Sequence, residues 1–280
     1  MNRRRSIFLF CCLAFGLAFL YTPILSLVVF SFNKSKLVTV WGGFSTKWYA
    51  ALLHNAQILD ATWLSVKVAV MNATLAVILG TMVALVLTRF GPFRGRALLS
   101  GMATAPLVMP EVITGLSLLL LFVSLEQWVG WPQGRGVTTI IIAHATFSMA
   151  YVAVIVQSRL TQLDASLEEA AMDLGAKPAK VFFVITLPII APALVSGWLL
   201  AFTLSLDDLV IASFTSGPGS TTLPMVIFSK VRLGVSPEIN ALATLLIVAV
   251  SLAVFAVGVI MSRQESQRQR DVQKAVAANK

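Results

Sequence analysis

Glu111, Asp207 and Asp208 are the residues from which a function can be argued first, because each falls inside a long apolar stretch. A carboxylate is costly to hold in hydrocarbon, so one that is kept there is a candidate for binding or conducting something. Glu111 follows Pro106 and Pro110, two prolines four residues apart that weaken a helical ladder and free carbonyl groups toward a water-filled path. Beside that reading stands a plainer one, in which Glu111 interacts with the dipole of a half-helix. Asp208 continues a stripe of small residues, Gly197, Ala201, Ser205 and Ala212, at three- and four-residue steps. Such a stripe suits close helix packing or the wall of a narrow pore. Asp207 and Asp208 are adjacent, so at most one of them faces such a path. A second polar stripe, His144, Ser148 and Tyr151, offers hydrogen-bond partners between helices or contacts to a solute. Carboxylates with no matching internal cation favour a positively charged solute. Lys67 is the exception, and its place near the outer end of an apolar stretch lets its ammonium reach water. Trp48 and Tyr49 can add cation–π contacts to an ammonium or anchor the chain at a membrane interface.

What is missing narrows the chemistry further. The sequence has no Gly-x-x-x-x-Gly-Lys-Ser/Thr phosphate loop, no His-x-x-x-His pair and no paired cysteine cluster. Catalysis, metal ligation and a bound cofactor are therefore not expected of this chain. Cys11 and Cys12 are consecutive, point apart on a helix, and read as small apolar fillers.

The elements that must position these groups are membrane-spanning helices. Of the 280 residues 58% are hydrophobic and only 12% charged, against roughly a quarter charged in an average soluble domain. The mean hydropathy is +0.87. Apolar runs long enough to cross a bilayer core of about 30 Å predict six spans. They fall at about 7–32, 61–87, 97–124, 137–157, 190–213 and 239–261. The first run continues to Phe32, beyond the apolar region of a signal peptide, and is expected to stay as a helix. Of the 21 Lys and Arg residues, 14 lie on the side shared by the two termini: Arg3, Arg4, Arg5, Arg89, Arg94, Arg96, Arg159, Lys177, Lys180 and the five beyond residue 262. Six (Lys34, Lys36, Lys47, Arg135, Lys230 and Arg232) lie on the other, which predicts cytoplasmic termini. The net charge of +9 sits at the ends of apolar runs and not on an aromatic-interleaved patch, so lipid is the expected partner and nucleic acid is not. A permease domain over 1–262 and a polar cytoplasmic tail over 263–280 complete the expected organisation.

Between the fourth and fifth spans lies a loop, about 159–188, with a pattern of its own. Leu163, Leu167, Ala170, Ala171 and Leu174 recur at helical spacing, with Asp164, Glu168 and Asp173 around them. The spacing predicts a short amphipathic helix, stopped by Gly175 and kept from continuing by Pro178. Such a helix lies on the membrane surface or docks into a groove of a soluble partner. The run Glu169-Ala170-Ala171, then Gly175, then Ile185-Thr186-Leu187-Pro188 resembles the EAA loop of ABC importer permeases, spacing included. The resemblance implies that the segment from Glu168 and Glu169 through Asp173 to Gly175 is the coupling helix, held in a cleft of a cytoplasmic ATPase.

The rest of the chain resembles the polyamine branch of these permeases, nearer the putrescine than the spermidine type. The likeness is densest in Ser31-Phe32-Asn33, in Phe44 to Tyr49, in Pro110 to Gly115, in Ser196 to Val210 and in Ser236 to Thr244. It departs at Glu111, where the branch typically has aspartate, which keeps the charge on a longer side chain. The resemblance implies an all-α type I ABC importer transmembrane domain. It also implies a second homologous permease, two ATPase subunits carrying ATP and Mg, and a periplasmic solute-binding protein. Trp48, Glu111, His144, Ser205, Asp207 and Asp208 are the expected solute-path residues. A same-family importer of phosphonate, sulfate or ferric ion is a rival, although anion binding should want arginine and the predicted spans contain none. An ion-coupled secondary transporter is another, and it leaves the loop unexplained.

Overall fold

The computed structural model describes residues 3–37, 40–234, 236–252, 255 and 259. The far end of the sixth expected span and the expected tail, 263–280, lie outside these residues. The helices are α1 (Arg3–Ser31), α2 (Lys47–Leu53), α3 (Ala56–Arg89), α4 (Arg96–Val108), α5 (Glu111–Val129), α6 (Val137–Gln162) and α7 (Ser166–Asp173). They continue with α8 (Pro178–Val181), a π-helical turn (Phe182–Thr186), α9 (Leu187–Leu206), α10 (Val210–Thr215) and α11 (Leu223–Leu233). A last apolar helix, α12, covers Pro237–Leu252. Among the described residues five helical stretches are long and apolar enough to span a bilayer: Phe8–Ser31, Ala56–Arg89, Glu111–Val129, Val137–Gln162 and Pro178–Leu206.

Two expected spans are interrupted, each for a local reason. The third, expected as one kinked helix over 97–124, is two helices. Proline disfavours a helical conformation in the residue before it, and Met109 before Pro110 is extended (φ −80°, ψ 135°), which ends α4. The carbonyl of Pro110 then accepts from the amides of Ile113 and Thr114 and starts α5. The fifth begins earlier than expected and stops at Leu206, so Asp207 and Asp208 stand in a break before α10 and not two-thirds along a helix. Cys11 and Cys12 are both on the exposed surface of α1, so they fill no core of this chain.

The chain forms two compact units, Met1–Ala56 with Lys230–Lys280, and Gln57–Ser229. In the first, the end of α1 is fastened to α2. Asn33, fully buried, accepts from the amides of Ser35 and Gly42 and donates to the carbonyls of Leu37 and Val40, so one side chain knots the intervening loop. Ser31 meets the Tyr49 hydroxyl at 2.6 Å. In the second unit α3, α6 and α9 share a core of Ala73, Ala76, Ala84, Val152, Val156, Leu160, Ile190 and Ala201. Small residues allow the close approach. A Cβ on Gly80 would come within 2.9 Å of the Met149 carbonyl and of Val152. Gly197 and Ala201, from the predicted small-residue stripe, are buried in this same packing.

Candidate functional site

At one end of the α6–α9 pair the two polar stripes meet. His144 on α6 is 2% exposed, and its Nδ1 lies 2.7 Å from Ser205 Oγ on α9. Its Nε2 is 3.2 Å from Asp208 Oδ1, within ion-pair distance but without the alignment of a hydrogen bond. The same Asp208 oxygen accepts from the Ala212 amide at 2.8 Å, satisfying an otherwise orphan donor in the first turn of α10. Aspartate favours such positions because its short side chain competes with helical hydrogen bonding. The Asp208 side chain is therefore enclosed, with 7% exposure, while Asp207 beside it is exposed.

A third helix enters through a residue that the pattern of charges does not reveal. Asn72 on α3, fully buried, donates to the Ala201 carbonyl at 2.8 Å and to Ser148 Oγ at 3.3 Å. Its Oδ1 is buried with no hydrogen-bond partner, one of four such side-chain atoms among the described residues. As the lone amide side chain in an apolar stretch of α3, it could have been found by its hydrophobic surroundings. Glu111 is exposed in the first turn of α5, where a carboxylate complements the helix dipole. α5 packs on α10 through Gly115, whose added Cβ would meet Phe214 at 2.7 Å. Trp48 belongs to the other compact unit. Its indole N–H donates to the Asn33 carbonyl at 2.7 Å, and the Lys47 ammonium stands 4.6 Å from its ring centre. The structure thus groups His144, Ser205 and Asp208 and gives Trp48 local partners of its own.

At the opposite end of the pair is the loop helix α7. Its C-terminus is closed by paired hydrogen bonds, Gly175 N–H to Met172 O at 2.9 Å and Ala176 N–H to Ala171 O at 3.1 Å. This stop needs a left-handed residue, and Gly175 has φ +83°. At the other end Ser166 donates its amide to Asp164 Oδ1 at 3.0 Å. The backbone and hydroxyl of Ser166 hold the Asp164 carboxyl below its ordinary value. No residue of α7 is buried; Leu167 is 50% exposed, Met172 43%, and Leu174 just beyond it 89%. Glu169, Ala170 and Asp173 are likewise exposed, whereas Ala171 and Glu168 are half-buried. Glu168 turns inward to Arg89 and Thr186, at 2.7 Å each.

Long antiparallel helices, a broken span carrying acids, and an exposed helical loop between spans define a membrane permease. The fold is that of ABC importers. A bacterial ABC transporter involved in the import of the acidic polysaccharide alginate aligns with a TM-score of 0.71 at 16% identity, covering 93% of this chain and 96% of the other. A methionine ABC transporter aligns over 71% of this chain and 92% of the other, with a TM-score of 0.57 at 18% identity. Residues 76–270 match the family described as "Binding-protein-dependent transport system inner membrane component", and the chain belongs to that family. It is 63% identical over 263 residues to the putrescine transport system permease protein PotI of Escherichia coli (strain K12), covering 94% of each chain. It is 41% identical over 250 residues to the spermidine/putrescine transport system permease protein PotC of the same organism, covering 89% of this chain and 92% of that one. The chain is a multi-pass inner-membrane permease of an ABC importer, a class of subunit that is not itself an enzyme.

Proposed function

We propose that this permease carries a diamine, putrescine before spermidine, into the cytoplasm, driven by ATP hydrolysed on partner subunits. The observation that carries the reading is the break after Leu206, which sets the exposed Asp207 carboxylate at the end of an apolar helix while Asp208 is engaged internally. An exposed acid at a helix break in a membrane protein suits a cationic solute. Likeness to relatives named for putrescine and spermidine transport supports the same cargo. The unpartnered apolar residues Leu167, Met172 and Leu174, with Glu169, Ala170, Ala171, Asp173 and Gly175, support α7 as the segment that enters an ATPase cleft. ATP and Mg belong to that partner. A second homologous permease, two ATPase subunits and a periplasmic binding protein complete the proposed assembly, and the excess of positive charge on the side of the termini supports a cytoplasmic placement for both. Glu111, beside the α5–α10 contact, is a further acid on the path.

The test is uptake of labelled putrescine and spermidine into cells lacking other polyamine importers, with the whole transporter co-expressed. Asp207→Asn should lower putrescine uptake at sub-saturating concentration about tenfold, the effect of losing roughly 1.4 kcal/mol of charge-assisted binding. Absence of uptake by the intact transporter would discard the diamine and leave the importer fold in place.

A further inference from the structure

Arg89 was counted in the sequence only as one of the inner cations, yet the fold gives it a specific engagement. It is the last residue of α3, and its Nε donates to Glu168 Oε2 at 2.7 Å while Nη2 reaches the Leu163 carbonyl at 3.5 Å. The second oxygen of Glu168 accepts from Thr186 Oγ1 at 2.7 Å. Both carboxylate oxygens are thus occupied from within the chain, by side chains that are themselves largely enclosed: 22% exposure for Arg89, 13% for Glu168 and 2% for Thr186. Glu168 lies in the first turn of α7, where its charge also complements the helix dipole. Thr186 ends the π-helical turn that leads into α9. Pro188 accounts for that turn. It has no N–H for the Val184 carbonyl and its ring would press on it, so the preceding turn widens, with Leu187 N–H bonded to Phe182 O. Two helices that share the buried core, α3 through Arg89 and α9 through Thr186 at its start, therefore converge on one carboxylate of an otherwise unburied helix, and Arg89 also reaches the carbonyl just beyond α6.

We propose that Arg89, Glu168 and Thr186 form a latch that makes α7 a rigid extension of α3 and α9, so that displacement of α7 by its partner reaches the membrane helices instead of being absorbed in the loop. Glu168 and Arg89 are positioning residues in this scheme. Glu169, exposed beside them, is left for the partner. The inference rests on the importer reading and adds where its force is transmitted. Coupling between sites needs an element that both can bias, and a loop attached only by backbone would relax before the helices moved.

The test uses the complete transporter in proteoliposomes, with putrescine import and phosphate release read on the same vesicles and both normalised to assembled complex. Glu168→Gln and Arg89→Ala should lower putrescine imported per ATP hydrolysed about fivefold or more, the lower range of typical coupling effects. The reversed pair, Arg89→Glu with Glu168→Arg, should restore at least about half of the ratio, which a general loss of folding would not do. An unchanged ratio in the single variants, or no recovery in an assembled reversed pair, overturns the latch. If the single variants do not assemble, Thr186→Val, which removes one hydrogen bond to Glu168 and keeps the ion pair, gives the answer. A lowered ratio in that variant supports the latch, and an unchanged ratio overturns it. Failure of the intact transporter to import putrescine is a separate result that removes only the proposed cargo.

Discussion

Neighbouring residues in a helix or an open turn point in different directions, so two adjacent acids divide between environments. In this chain both acidic pairs do so. Asp208 is enclosed between His144 and the Ala212 amide while Asp207 is exposed. Glu168 is bonded to Arg89 and Thr186 while Glu169 is exposed. In each pair one acid is engaged within the chain and the other remains available to something outside it. The separation can be measured. Asp208→Ala orphans the Ala212 amide and removes the partner of His144, which should cost about 1–3 kcal/mol and lower the melting temperature of the purified complex. Asp207→Asn should leave that temperature within a degree or two while weakening uptake. Melting unchanged in Asp208→Ala with uptake abolished would reverse the assignment of the two aspartates.

The same economy governs the elements. α7 has no buried residue, so its ends are held by hydrogen bonds, and two predictions follow from them. Replacing Gly175 by alanine meets no neighbour, since nothing lies within 4 Å of the added Cβ. It does force a side chain onto φ +83°, costing about 1–2 kcal/mol. The expected result is faster amide hydrogen exchange at Gly175→Ala and Ala176 with melting of the core unchanged. Exchange as slow as in the parent chain would show that the stop does not need glycine. At the other end, the hydrogen bonds from Ser166 hold the Asp164 carboxyl below its ordinary value. A carboxyl lowered in the folded state stabilises α7 above its unfolded value, and that contribution is lost as pH falls through the folded value. Protection of the Ser166 amide should thus be constant across neutral pH and fade only in acid, and Asp164→Ala should remove the transition. Of these two ends the stop was legible in advance: Gly175 and Pro178 marked it, and apolar residues at helical spacing with acids around them marked the helix. The breaks were less so. Hydropathy runs unbroken through Met109-Pro110 and past Leu206, because interruption of a helix by a proline or by paired aspartates leaves the apolar count of the window almost unchanged. Asn72 and Arg89 were missed for a related reason. One was a lone amide in an apolar run and the other one cation among many, and only the fold supplies Ser148, Ala201, Glu168 and Thr186 as their partners.

For the whole molecule, the direction of α6 decides what faces which side. Its 26 residues rise about 39 Å, more than the roughly 30 Å of a bilayer core. His144 stands near its start and Leu160, by the loop helix, near its end, about 24 Å apart along the axis. The acidic break and α7 therefore lie toward opposite ends of α6. Charge bias predicts a cytoplasmic α7, since Arg89, Arg94, Arg96, Arg159, Lys177 and Lys180 gather at that end. A cysteine-scanning experiment decides it, in a background where Cys11 and Cys12, both exposed, are replaced by serine. Leu174→Cys, at a position 89% exposed, should react with a membrane-impermeant maleimide only in inside-out vesicles. Trp131→Cys, at a position 44% exposed in the connection before α6, should react only in intact spheroplasts. Reaction of both from one side would mean that α6 does not cross. The two results exchanged would turn the molecule over, leaving α7 facing away from any cytoplasmic ATPase and removing the physical basis for its role in coupling.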